Sequence, residues 1–190
     1  MRSRIIMRCC VPILLALVSL LAGCAATVPP PSAARLGLRL APATLKENLS
    51  LQQLLHVERD GRSDDLQVAL EIDAEQLTMV GLVFGQRVLT MHFDGKKLDT
   101  WRHAMLPAQV RSEDILEDIQ LTYWPAEAIR QALPPGWQIE DDGLQRRLLL
   151  DGKPVMLIRY SKLPRWSGKV ELSNVRYGYR LTIQSAQAAQ

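Results

Sequence analysis

The side chains best able to do chemistry are few and scattered. The histidines are His56, His92 and His103, the adjacent carboxylates are Asp64-Asp65 and Asp141-Asp142, and the cysteines are Cys9, Cys10 and Cys24. A metal centre would need histidines and carboxylates to converge, and no HExxH-type spacing puts two of them on one helix face. His92 alternates with apolar neighbours and reads as a hydrogen-bonded strand residue. Both carboxylate pairs sit at turns, where water solvates them, whereas paired catalytic acids need surroundings that push their pKa values apart. There is no GxSxG elbow, no phosphate-cradling glycine loop and no cysteine placed as a nucleophile. The expectation is no catalytic residue, no metal and no cofactor, with a periplasmic hydrolase or other lipid-modifying enzyme the least favoured function.

Cys24 is the exception, because what precedes it prepares it for modification. Arg2, Arg4 and Arg8 form a positive leader, and residues 11–22 are an apolar run broken only by Pro12 and Ser19. A spanning helix needs about 20 residues; this shorter run reads as the hydrophobic core of a secretory signal. Leu21-Ala22-Gly23-Cys24 resembles the bacterial lipobox, in which cleavage precedes the cysteine and acyl chains such as palmitate are added to it. Several acyl chains hold a protein stably on a bilayer where one holds it weakly, since each buried methylene contributes about 0.8 kcal/mol. Ala25, where an aspartate would favour the inner membrane, implies the outer membrane, with the domain facing the periplasm.

Removing residues 1–23 also alters the charge. The chain has 23 Lys+Arg and 20 Asp+Glu; three arginines and no acid leave with the signal, so the remainder carries 20 of each. A nucleic-acid partner is disfavoured, because phosphate neutralisation needs a basic surplus. Cys9 and Cys10 leave too, so no disulfide is expected although the compartment would permit one.

Composition then divides the chain into a signal peptide (1–23), a lipidated cysteine with a Pro/Ala-rich tether (24–45), a β domain (46–185) and a frayed tail (186–190). The tether carries Pro29, Pro30, Pro31 and Pro42 and could hold the domain up to about 60 Å from the membrane at roughly 3.1 Å per residue. The domain is long enough for one real core.

Within it, Asp60-Gly61, Asp94-Gly95, Asp142-Gly143 and Asp151-Gly152 each separate apolar runs, the mark of tight hairpins. Leu66, Val68, Leu70 and Ile72 alternate with polar residues, as do Tyr177, Tyr179, Leu181 and Ile183. Residues 77–84 and 88–93 are apolar on both faces and are expected to be central strands, covered on both sides or lining a hollow. One interruption is helical: Ser112 can cap a segment with Glu113 and Asp114 in its first turn and Ile115, Leu116, Ile119 and Tyr123 on one side, Glu117 and Asp118 on the other. Pro125 ends it and opens a second short helix, which Pro134-Pro135-Gly136 stops. The expected class is α+β, mainly antiparallel β with a two-helix insert.

The order of these marks resembles a family. The lipobox, "LTMVGLVFGQRVLTMHFDG" (77–95), "ILEDIQLTYWPAEAIRQALPPGW" (115–137), "RRLLLDGKPVMLIRY" (146–160) and "WSGKVELSNVRYGYRLTIQS" (166–185) are together similar to a family of bacterial outer-membrane lipoproteins often encoded in aryl polyene gene clusters and related to the lipoprotein carriers LolA and LolB. That resemblance implies an incompletely closed half-barrel with a helical lid and an apolar concave side for acyl chains. It also implies that Val83 and Phe84, on the loop matching the protruding hydrophobic residue of LolB-like proteins, form a membrane-insertion loop; the proline of that loop is missing here. On the residues alone, Phe84 is equally readable as core at a strand end.

Two uses are open for Trp101, Trp124, Trp137 and Trp166, lining a ligand cavity or anchoring the helices in a core, of which the second is commoner. The favoured function is receipt of an acylated lipid or lipoprotein cargo, a polyene-bearing lipid included, with a periplasmic LolA-like carrier as partner. Leu70, Ile72, Met79, Leu89, Met91, Leu148, Met156 and Ile158 are the expected cavity lining. The alternative is a non-catalytic scaffold lipoprotein of an envelope assembly.

Overall fold

The computed structural model describes residues 36–188; Cys24, the signal segment and most of the expected tether lie outside the described residues. Ten strands follow the short 3-10 turn Pro42–Leu45: β1 (Leu49–Arg59), β2 (Arg62–Ile72), β3 (Leu77–Val83), β4 (Gln86–Phe93), β5 (Leu98–Arg102), β6 (Trp137–Asp141), β7 (Gln145–Leu150), β8 (Lys153–Tyr160), β9 (Gly168–Asn174) and β10 (Tyr179–Gln187). Between β5 and β6 come helices α1 (Ser112–Tyr123) and α2 (Ala126–Ala132).

All pairings are antiparallel and the strands form one sheet, in the order β5-β4-β3-β2-β1-β10-β9-β8-β7-β6. The sheet does not close; β5 and β6 are its two edges, and the helical insert is the chain that joins them. The first and last strands pair at its middle, from Leu51 opposite Gln187 to Arg59 opposite Tyr179. The two doubly apolar segments, β3 and β4, are therefore not central, as their composition suggested. Their inner residues Leu77, Met79, Leu89, Met91 and Phe93 are buried, while Thr78, Val80 and Leu82 on the outer side are half-buried.

All four Asp-Gly pairs turn the chain between neighbouring strands. At Asp60-Gly61 the φ angles are 52° and 74°, and at Asp151-Gly152 they are 50° and 74°, the doubly positive pattern of a two-residue turn that matches the sheet's twist. A third turn of the same kind, unmarked by any aspartate, is Phe84-Gly85, with φ of 49° and 75°.

Ser112 does not cap α1. Arg111, in extended conformation, takes the cap position without a side-chain bond, and the buried Ser112 hydroxyl has no partner among the described residues. Glu113 lies in the first turn, and its own backbone N–H holds its carboxyl below the usual range.

The tether ends earlier than its composition indicated. Leu36, Leu38, Leu40 and Leu45 are all buried in the main core, and Gly37, Arg39 and Ala41 between them are exposed. That alternation is the period of an extended segment with one buried face, and it begins where proline gives way to every-second leucine. Residues 36–45 form a strap over α1. At the other end β10 runs to Gln187, two residues into the expected tail.

Candidate functional site

The concave side of the open sheet is the candidate site, and its eight expected lining residues all point inward. Leu70, Ile72, Met79, Leu89, Met91, Leu148, Met156 and Ile158 belong to one buried core cluster. The register explains why: Leu70 lies opposite Met79, Met79 opposite Met91, Leu148 opposite Met156 and Ile158 opposite Leu172, so each pair shares a face.

What fills the space over them is the chain itself. Helix α1 lies in the hollow and is tied to the strands by polar side chains. Arg146 on β7, 1% exposed, donates to the Leu121 carbonyl and, at 2.9 Å, to that of Trp124. Tyr160 on β8 donates its hydroxyl to the Thr122 carbonyl at 2.8 Å. These carbonyls belong to the last turn of α1, whose orphan acceptors would otherwise be buried without partners, and the guanidinium sits at the negative end of the helix dipole. Gln53 on β1 donates to the Tyr123 hydroxyl at 2.7 Å, and Tyr179 on β10 donates to Asp118 at 2.7 Å.

Ionisable side chains sit at both ends of this contact. Arg146 pairs with Asp141 through Nε at 2.9 Å and Nη2 at 2.7 Å, and Arg165 donates to the same carboxylate. Burial pushes the Asp141 carboxyl up, but bonds from Arg165, the Gly143 N–H and Arg146 outweigh it and hold the group at about 2. Asp141 is thus not the solvated turn residue expected of it, whereas Asp142, Asp64 and Asp65 are exposed. Asp118 is shifted the other way. Burial pushes it up to about 8, against the Tyr179 hydrogen bond and with help from the nearby charges of Glu117 and Asp114.

The sign of the Asp118 contribution follows from linkage. The folded chain keeps a proton that the unfolded chain releases near pH 4, so this contribution is complete below that pH and is lost as pH rises to about 8. Asp118→Asn, neutral and similar in shape, is expected to melt roughly 2–8 °C above the wild type at pH 9 (about 1–2 kcal/mol). The gap should close toward pH 4; equal melting temperatures across that range would show that Asp118 carries no buried charge.

The eight lining residues are each at most 5% exposed, so their inner faces are covered by protein rather than open to solvent. Two cavities, of about 430 and 380 Å³, lie at opposite ends of the central strands β1, β2 and β10. The first is lined by Arg59, Arg62, Val175 and Tyr179 at two hairpin turns, the second by Leu49, Glu71, Ile72 and Gln187. Of the eight lining residues only Ile72 borders either.

Phe84 stands at the tip of the β3–β4 hairpin and is 99% exposed, while Val83, the last residue of β3, is half-buried. The reading of Phe84 as a core residue is thereby removed. Phe84 also occupies a left-handed backbone position that disfavours a bulky residue.

The other singled-out residues do not converge. His56 Nδ1 is 2.7 Å from Asp65, His92 Nδ1 is 3.1 Å from the Thr78 hydroxyl, and His103 Nδ1 accepts the Met105 N–H. Among the described residues no three metal-ligating side chains come together. Trp124 and Trp137 are buried and Trp166 packs against the core. Trp101 is 45% exposed under the Arg87 guanidinium, 4.9 Å from its ring centre.

Sequence reasoning missed Arg146, Gln120 and Asp118. For Arg146 a signal existed, since it has the same parity as Leu148 along β7 and so must point inward. The helix residues gave none, because polar helix residues normally meet water, and here Gln120 meets the strap and Asp118 meets Tyr179 of β10.

The family model described as "Protein of unknown function (DUF3261)" matches residues 50–187, and the chain belongs to that family. No curated protein matches it. The crystal structure of a DUF1329 family protein from Desulfovibrio piger is similar over 76% of this chain and 87% of that one, at 8% identity and a TM-score of 0.32. At that score and identity no property passes from that protein to this one.

Proposed function

We infer that this member of the DUF3261 family is held to the outer membrane by an acylated Cys24 and receives acylated lipid or lipoprotein cargo on the concave side of its open sheet. The observation that carries this reading is Phe84. A fold gains nothing in water from an apolar side chain that is 99% exposed at a positive-φ position; a side chain of this size gains about 1.5–3 kcal/mol when it leaves water, and a bilayer is the apolar phase that the lipid anchor supplies. Phe84 enters the membrane, the domain is seated at its surface, and apolar area moves from donor to acceptor without a covalent step. A LolA-like fold, a periplasmic LolA-like donor and a polyene-bearing lipid are the finer forms of this reading, and they rest on the resemblance of the sequence blocks.

The filled hollow favours a second reading, a scaffold lipoprotein that docks partners on its sheet and binds no lipid. Native mass spectrometry of the chain from residue 25 onward, recovered from the periplasm and so free of leader and anchor, separates the two. Bound-lipid adducts support the cargo reading, and a bare mass supports the scaffold.

A further inference from the structure

The acyl-cargo reading needs room that the hollow lacks, and the geometry points to the strap as what must leave. We propose that residues 36–45 are a displaceable self-ligand, and that the slot they occupy along α1 is the acyl-chain site. The proposal rests on the cargo reading and assigns it a place and a moving part.

Helix α1 is a poor candidate for the moving part. It is bonded to β1, β7, β8 and β10 through Gln53, Arg146, Tyr160 and Tyr179, and moving it would strand buried charges on Arg146 and carbonyls at its own C-terminus. The strap is attached differently. Glu117, Gln120 and Trp124 occupy positions i, i+3 and i+7 of the helical stretch, one face of it, and bind the strap almost wholly through its main chain. Gly37 N–H donates to Glu117 at 3.0 Å, Leu40 N–H donates to Gln120 at 3.1 Å, and Gln120 returns a bond to the Leu40 carbonyl at 2.9 Å. The Trp124 indole donates to the Thr44 hydroxyl at 2.8 Å. Toward the sheet edge, Arg39 donates to the Lys96 carbonyl at 3.3 Å.

The two faces of the strap have opposite chemistry. Leu36, Leu38, Leu40 and Leu45 put a row of aliphatic side chains into the core, a volume that a hydrocarbon chain can take over. The main-chain partners on α1 can exchange their bonds for water once the strap lifts, which keeps the exchange close to balance. The strap also begins twelve residues after Cys24, so the segment that vacates the slot is continuous with the membrane anchor. Its release adds about 33 Å of extended chain to the tether.

A reversible staple tests this. A Cβ at Gly95 would lie 3.3 Å from the Ala41 Cβ and from Pro42 Cδ, so a shift of a few tenths of an ångström brings the pair to the spacing of a disulfide. The chain from residue 25 onward, which has no native cysteine and lacks the apolar leader, carries Ala41→Cys and Gly95→Cys and is titrated with a dansyl-labelled C11 fatty acid, oxidised and then reduced. Gly95 has a positive φ, so any backbone cost is common to both states. The expected result is at least tenfold tighter probe binding in the reduced state than in the oxidised one. Gln120→Ala in the unstapled chain, checked for cooperative unfolding, should bind more tightly than the wild type. Equal and strong binding in both redox states would overturn the strap proposal and leave the cargo reading standing. No binding by any form, Gln120→Ala included, would overturn both.

Discussion

Phe84→Asn is expected to make the protein more stable and less able to bind membranes. The Phe84-Gly85 turn has φ of 49° and 75°, and Asn-Gly is the pair best suited to that geometry. A non-glycine residue in the left-handed region costs about 1–2 kcal/mol, with asparagine the least penalised. Since the phenyl ring is 99% exposed, no packing is lost in exchange. Relief of about 1 kcal/mol corresponds to a rise of roughly 2–4 °C in Tm for a chain of this size. In vesicle binding the same change removes a buried phenyl worth about 1.5–3 kcal/mol, a loss of roughly ten- to hundredfold in affinity. A drop in melting temperature would mean that Phe84 packs in the folded state, and the trade of stability for function would not hold.

Arg146→Met is expected to be the most damaging single substitution in the interior. It leaves the Leu121 and Trp124 carbonyls unpartnered inside the protein and takes from Asp141 one of its two guanidinium partners. Breaking a buried pair by removing one member costs about 3–5 kcal/mol, a fall of roughly 6–20 °C in Tm. Arg147, the next residue, is the control. Its bond to Glu140 is 2.6 Å long, yet both side chains are half exposed, so Arg147→Met should cost less than about 1 kcal/mol. Similar melting temperatures for the two variants, read by calorimetry or circular dichroism, would contradict the assignment of Arg146 as the tie between sheet and helix.

Much of the fold was legible because hairpins are written locally. Aspartate followed by glycine supplies the positive φ angles a two-residue turn needs, and the alternation of Val68, Leu70 and Ile72 declares which face is buried. Strand order was not legible. Nothing in 49–59 or 179–187 says that the first and last strands meet at the middle of the sheet, so the doubly apolar β3 and β4 were given a centrality that belongs to β1 and β10. The strap was hidden by its neighbourhood, since Leu36, Leu38 and Leu40 follow directly on a proline- and alanine-rich run. At the site, the inward residues could be read from strand parity, whereas the filling of the hollow could not. It depends on Glu117 and Gln120 meeting a main chain some eighty residues away. Phe84 was ambiguous for a related reason: the turn it makes lacks the Asp-Gly signature, and only the backbone shows that the ring has nowhere to tuck.

The most direct test of the membrane reading is flotation of the chain with phospholipid vesicles, comparing Phe84→Glu with the wild type after both are shown to melt within about 2 °C of each other, both starting at residue 25 so that neither the apolar leader nor an acyl anchor contributes. The account predicts that the wild type floats with the vesicles and that Phe84→Glu stays in the aqueous layer. If the two partition equally, the exposed ring has no apolar phase to enter, and the seating of this domain on a bilayer through its β3–β4 hairpin is contradicted.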